Sequence, residues 1–302
     1  MSNSPLLIHY HQPGEGARLG VLRGETVHDI SHCFPALANI FRDSVGDVAG
    51  LIAAVSRAAD DSARRFPAGD LDNPPAAPAE VAHWLPPLDE QEVWAAGVTY
   101  LDSRRARQEE AADGGDVYAR VYTAERPEIF FKASSKNTVG HLDAAGFRAD
   151  SNWNVPEPEL GLVVNPAMEL LGFTIGNDMS SRDIEGANPL YLPQAKVYTA
   201  SCALGPGILL APSVDWPDTA IRLDINRGAA VVFSGEVSTD QIKRTIPELL
   251  DYLGRSNTYP AGVFLLTGAG IVPPADFTLA VDDVVSISID GIGELQNRVI
   301  EV

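Results

Sequence analysis

The sequence is short of basic residues, of cysteine and of long apolar runs, and each shortage removes a class of function. Lysine and arginine total 22 against 41 aspartates and glutamates, a formal charge of −19. That balance repels nucleic acid and anionic membrane surfaces at long range, so the expected partner is a small molecule, with no nucleic acid and no membrane. Acidity also promotes solubility without specifying an activity. The two cysteines, Cys33 and Cys202, are far apart and lack C-x-x-C spacing, which argues against a disulfide framework or a zinc knuckle and fits a reducing, cytoplasmic compartment. No apolar run approaches the roughly 20 residues of a membrane-spanning helix. The opening MSNSPLLIHYHQPGEG has neither the basic segment nor the apolar stretch of an export signal.

What is present is a chain of 302 residues, long enough to bury a sizeable core without disulfides or a structural metal. A bound metal is therefore expected to be functional. ARLGVLRGETVHDIS reads as two short strands around Arg23-Gly24, because apolar and β-branched residues flank a glycine turn. A helix is expected from about Ser44 to Arg65, ahead of the proline-rich FPAGDLDNPPAAPAE, which marks a boundary. The expected organisation is a small N-terminal β-rich domain over 1–85 and a larger, mostly β domain over 86–302, an α+β chain with few long helical patterns. His9, His11, His28 and His32 belong to the first of these, where the alternating pattern already accounts for a small sheet. The acidic segment 107–122, RQEEAADGGDVYARVY, suits either a helix with a mobile cover or a solvated loop.

WNVPEPELGLVV, residues 153 to 164, carries the first chemical signal. Side chains two apart on a strand share a face, so Glu157 and Glu159 project together, while Pro158 withholds a backbone donor. The following LGLVVNPAMELLGFTIGND reads as strand, turn at about Asn165 to Glu169, and returning strand, which brings Asp178 back beside the two glutamates. Three ionised carboxylates repel one another unless a proton or a cation intervenes. Oxygen-only ligation favours Mg²⁺, with Mn²⁺ or Ca²⁺ possible, over zinc. A solvated acidic strand edge is the plainer reading of the same E-x-E.

Downstream, Lys196 follows in a glycine- and proline-punctuated segment. A partly desolvated lysine beside a metal can lose its proton and act as a base; the alternative is a surface lysine. Glu128 suits either an acid role or a pairing with Arg126, and Ser103 either a substrate hydroxyl contact or a helix cap. Thr267, in LLTGAG, suits either anion binding or a turn.

The ordered pieces EPELGLVV, GFTIGNDMSSRDIE, AKVYTASCALGPGI and VFLLTGAG resemble the fumarylacetoacetate hydrolase family over roughly residues 86 to 302. The resemblance implies a mixed β-sheet roll of that family's type and a homodimer or homotetramer. It implies Mg²⁺ or a similar ion on Glu157, Glu159 and Asp178. It also implies a 2-oxo acid substrate, with the family's lysine on Lys196 as a catalytic group and its substrate-carboxylate threonine on Thr267; Glu128 and Glu185 are further candidate catalytic acids, and Ser103, Arg182 and Gln194 further candidate substrate contacts. Members of the family hydrolyse C–C bonds, decarboxylate, isomerise or dehydrate on one scaffold. The histidine–glutamate pair by which hydrolytic members activate water is replaced here by Ser103 and Ala106, and Glu185 stands where many members carry glutamine. SNWNVPEPEL, ERPEIFFKAS and NPLYLPQAKVY look most like the members that dehydrate 2-keto-3-deoxy sugar acids. The expected activity is therefore metal-dependent dehydration of a 2-keto-3-deoxy pentonate in oxidative pentose catabolism, the alternative being a 2,4-dioxo-acid C–C hydrolase or an oxaloacetate-type decarboxylase.

Overall fold

Two strands without an exposed residue, Pro158–Val164 and Leu170–Asp178, run through the middle of the molecule. Unbroken burial of this kind arises where both faces of a sheet are covered. In the computed structural model, which describes residues 4–73, 79–100, 116–211 and 219–302, the two strands pair antiparallel as a hairpin. Its turn lies where the sequence predicts it. Asn165 Oδ1 accepts the amides of Ala167 and Glu169, each at 3.0 Å, so the side chain imitates a backbone turn.

The hairpin sits inside a mixed sheet that joins twelve strands among the described residues. Leu170–Asp178 pairs antiparallel with Cys202–Leu210, and Pro158–Val164 with Val263–Leu266. Val263–Leu266 runs parallel to Glu92–Gly97, whose far side carries Glu128–Ala133. Cys202–Leu210 also pairs with Leu6–Gln12, so the N-terminal strands share this sheet with the rest of the chain. A second sheet of five strands runs from the edge strand Ala230–Ser238 to the parallel-paired Ala144–Phe147. This is the α+β, mostly β, mixed-sheet architecture expected from the sequence.

The hairpin's two faces feed two cores. Leu160, Leu162 and Ile175 pack with Leu223, Ile287 and Leu295 of the five-stranded sheet. On the other face Val163 and Phe264 pack with Ile40, Phe41, Leu51 and Val55, which come from the helices Leu37–Asp43 and Val48–Asp60. Each such side chain contributes about 1.5–3 kcal/mol by burial. The hairpin is therefore supported by a core on each of its faces.

The single helix expected from Ser44 to Arg65 is shorter. It spans Val48–Asp60 because Asp47 caps it, accepting the Gly50 amide, and the chain then turns into the strand Arg65–Pro67. The Leu37–Asp43 helix before it was not expected. Of the acidic segment 107–122, the described part is the helix Asp116–Thr123. Among the described residues no helix is long and apolar enough to cross a membrane.

Candidate metal centre and active-site cleft

The open end of the hairpin gathers charge. Pro158 pairs with Asn177 and Glu159 with Gly176, and one step further the Asp178 amide donates to the Glu157 carbonyl at 2.9 Å. One carboxylate oxygen from each of Glu157, Glu159 and Asp178 consequently lies within 4.8 Å of the other two. All three residues are buried, Glu159 and Asp178 to 1% exposure. A solvated acidic strand edge is not what the chain builds here.

Buried charge of one sign requires partners, and three cations answer three acids. Lys196, the last residue of the short helix Leu192–Lys196, donates from Nζ to Glu157 Oε2 at 2.8 Å, Asp178 Oδ2 at 3.1 Å and Ser180 Oγ at 2.5 Å. It is 3% exposed, so the surface-lysine alternative does not apply. Arg182, which begins the helix Arg182–Ala187, places Nη2 2.9 Å from Glu157 Oε1. Lys132, in the strand Glu128–Ala133, lies 2.6 Å from Asp178 Oδ1 and donates to the carbonyls of Met179 at 3.0 Å and Lys196 at 2.5 Å.

Glu159 leans on an amide instead, the Gly268 N–H donating to its Oε2 at 2.5 Å. Burial and then the charges of Asp178 and Glu157 push its carboxyl well above the ordinary carboxylate range, against the pull of the Gly268 amide and Lys196. A divalent cation among these oxygens would relieve that repulsion. The donor set is hard: Cys202 faces Asp178 across the strand pair, but burial lifts its thiol to about 12, so it offers no thiolate. Oxygen ligands in this arrangement suit Mg²⁺, Mn²⁺ or Ca²⁺.

Glu128 and Glu185 line the same cleft as the acid cluster, together with Arg182, Lys196, Gly268 and Ala269. Seven sequence-predicted residues thus converge: Glu128, Glu157, Glu159, Asp178, Arg182, Glu185 and Lys196. Arg126, the alternative partner for Glu128, stands over the Tyr252 ring at 5.2 Å. Thr267 does not join them. It is fully buried, and its hydroxyl donates to the Leu160 carbonyl at 2.8 Å, while the next two residues reach the cleft. Gln194 is exposed on its helix, its carbonyl accepting from Arg148 at 3.3 Å. Ser103 and Ala106 lie outside the described residues. A roomier pocket of about 670 Å³ opens at the turn end of the hairpin beside Met168, Leu170 and Leu250. Its charged residues, Glu169, Asp251 and Arg255, are none of them buried, so the chemistry is assigned to the carboxylate end.

Three residues of the site escaped the sequence reading. Lys132 left a trace, a lysine inside the apolar strand run EIFFKA, whereas Ser180 and Gly268 matter through a hydroxyl and an amide whose direction only the fold sets.

The family described as "Fumarylacetoacetate (FAA) hydrolase C-terminal" matches residues 92–300. The chain is 42% identical, over 98% of its length and 100% of the relative's, to a probable 2-keto-3-deoxyxylonate dehydratase of Haloferax volcanii. It is 44% identical to the 2-dehydro-3-deoxy-D-arabinonate dehydratase of Saccharolobus solfataricus, over 69% of this chain and 72% of that one. A solved structure of 2-keto-3-deoxy-D-arabinonate dehydratase complexed with magnesium and 2,5-dioxopentanoate superposes with a TM-score of 0.79 at 32% identity, covering 98% of this chain and 99% of that one.

Proposed function

The chain belongs to the fumarylacetoacetate hydrolase family, and on that footing we propose that it is a divalent-metal-dependent hydro-lyase. Its substrate is a 2-keto-3-deoxy pentonate such as 2-keto-3-deoxy-D-arabinonate, and its product 2,5-dioxopentanoate. The observation that carries the choice of reaction is the near-full-length likeness to a dehydratase at 42% identity. The buried acid cluster of Glu157, Glu159 and Asp178 supports the metal dependence. The absence of a histidine–glutamate pair at Ser103 and Ala106 removes the base that C–C hydrolysis would need to activate water.

Mg²⁺, or Mn²⁺ or Ca²⁺, held by Glu157, Glu159 and Asp178 would supply Lewis acidity to a chelated carboxylate and 2-oxo group, making the C3 hydrogen acidic. Arg182, fixed by Glu157, complements the negative charge of the substrate carboxylate. Lys196, held against Glu157 and Asp178, removes the C3 proton. Glu128 or Glu185 hands a proton to the departing C4 hydroxyl. The hydrogen from C3 and the hydroxyl from C4 leave as one water, and tautomerisation puts the aldehyde at C5.

Ser103 serves as a contact to a substrate hydroxyl, and Thr267 acts by anchoring the segment that presents Gly268 and Ala269. The reading carries with it a cytoplasmic enzyme that assembles as a homodimer or homotetramer, which light scattering on the purified protein checks. The reaction itself is tested by incubation with 2-keto-3-deoxy-D-arabinonate and Mg²⁺, followed by mass spectrometry. A five-carbon product one water lighter is expected; pyruvate or CO₂ would move the assignment to a hydrolase, lyase or decarboxylase.

A further inference from the structure

Lys132 has no solvent-exposed surface, and a buried ammonium is retained only where its surroundings repay the loss of water. Its Nζ lies 2.6 Å from Asp178 Oδ1 and donates to two backbone carbonyls, those of Met179 and Lys196. One of these follows Asp178 in sequence, and the other belongs to the residue proposed as the base. Lys132 is thus the cation that faces Asp178 Oδ1, as a buried ion pair. The second oxygen, Oδ2, points into the acid cluster towards Lys196 at 3.1 Å.

The two oxygens of Asp178 are therefore not equivalent. We propose that Lys132 is a positioning residue that reserves Asp178 Oδ1, leaving Asp178 a single oxygen with which to bind a metal and so biasing the site towards Mg²⁺ over Ca²⁺. Mg²⁺ requires near-octahedral coordination by single oxygens, whereas Ca²⁺ accepts bidentate carboxylates and a larger shell. An aspartate clamped through one oxygen suits the first ion and denies the second part of its preferred shell. The backbone contacts make the clamp rigid, because Lys132 ties one strand to the ends of two other elements. This inference rests on the metal reading of the acid cluster.

The test is calorimetric titration of the metal-free wild-type protein and of Lys132→Met with Mg²⁺ and with Ca²⁺, with thermal denaturation to establish that the variant is folded. Methionine keeps the length of the side chain and removes its charge. Mg²⁺ affinity is expected to fall about 10–100-fold, the usual effect of losing a residue that orients a ligand. Ca²⁺ affinity falls less, so the Mg²⁺:Ca²⁺ ratio drops by about tenfold. Equal losses for both ions, or no loss for either, would overturn the proposal. A wild-type protein that binds neither ion would instead overturn the metal reading. If Lys132→Met does not fold, infrared difference spectra of Asp-labelled wild-type protein on Ca²⁺ addition decide the matter: a unidentate aspartate carboxylate is expected, and a bidentate one refutes the clamp.

Discussion

Gly268 and Glu159 are joined by a 2.5 Å hydrogen bond from the glycine amide to Oε2, and the backbone there is closed to other residues. Gly268 has a φ of +94°, and a Cβ added to it would stand 2.0 Å from Thr99 Oγ1 and 3.0 Å from the Ala96 carbonyl. Gly268→Ala therefore combines backbone strain with overpacking and is expected to cost about 2 kcal/mol or more. It should also weaken Mn²⁺ binding, because the amide that holds Glu159 is displaced. Urea denaturation and Mn²⁺ titration by electron paramagnetic resonance measure the two effects.

The raised carboxyl of Glu159 makes a signed prediction for the metal-free protein. A carboxyl whose folded pKa lies above its unfolded value binds its proton more tightly in the folded state. Its effect on stability is then most favourable at low pH and is lost as pH rises through the raised folded pKa. Glu159→Gln removes that dependence, so the metal-free variant should melt higher than wild type on the alkaline side. The same variant should lose Mg²⁺-dependent activity by about 100-fold or more. In wild-type protein, Mg²⁺ uptake should release protons and tighten as pH rises through the Glu159 pKa, which calorimetry in buffers of different ionisation enthalpy detects.

Lys196 meets three acceptors and lies at the cleft. Lys196→Met should lower kcat by about 10²–10⁴-fold, the range for loss of a general base. It should also abolish exchange of the C3 hydrogen in D₂O, a readout that does not require the hydroxyl to leave. Retained exchange in a folded variant would assign the base elsewhere. Borohydride added with substrate should leave the wild-type protein mass unchanged, since no Schiff base is formed.

Far from the cleft, Asp29 accepts a bidentate pair from Arg18, at 2.6 and 3.0 Å, and the hydroxyl of Tyr10. Burial acts to raise its carboxyl, but the hydrogen bonds from Arg18, Tyr10 and the Ser31 amide outweigh it and hold the group below the ordinary range. Its stabilising contribution is present above the unfolded carboxyl pKa and is lost as pH falls through the lowered folded value. Asp29→Asn is expected to cost about 2–3 kcal/mol near neutral pH, with a smaller difference from wild type in acid. At temperatures where both proteins are folded, kcat/KM should be unchanged.

The hairpin was legible because two apolar runs flank turn residues, which brings Asp178 back beside the two glutamates; the register that sets it opposite Glu157 is a property of the fold. The acid cluster followed from that register. Lys132 was not legible, since only the fold reveals that a strand lysine beside Phe131 turns inward to Asp178 while the phenylalanine turns out. Thr267 is expected from the sequence to bind an anion or sit in a turn; the rotamer that commits its hydroxyl to the Leu160 carbonyl depends on the neighbouring strand. The later start of the early helix, at Val48 rather than about Ser44, arises from the Asp47 cap, which hydrophobic periodicity does not register.

The most direct measurement is ¹³C nuclear magnetic resonance of 2-keto-3-deoxy-D-arabinonate labelled at C4, followed with purified protein in Mg²⁺ and again in EDTA. The account predicts that with Mg²⁺ the C4 carbinol signal becomes a methylene within an intact five-carbon chain, and that EDTA halts the change. Cleavage of the chain, or conversion at the same rate in EDTA, would contradict it.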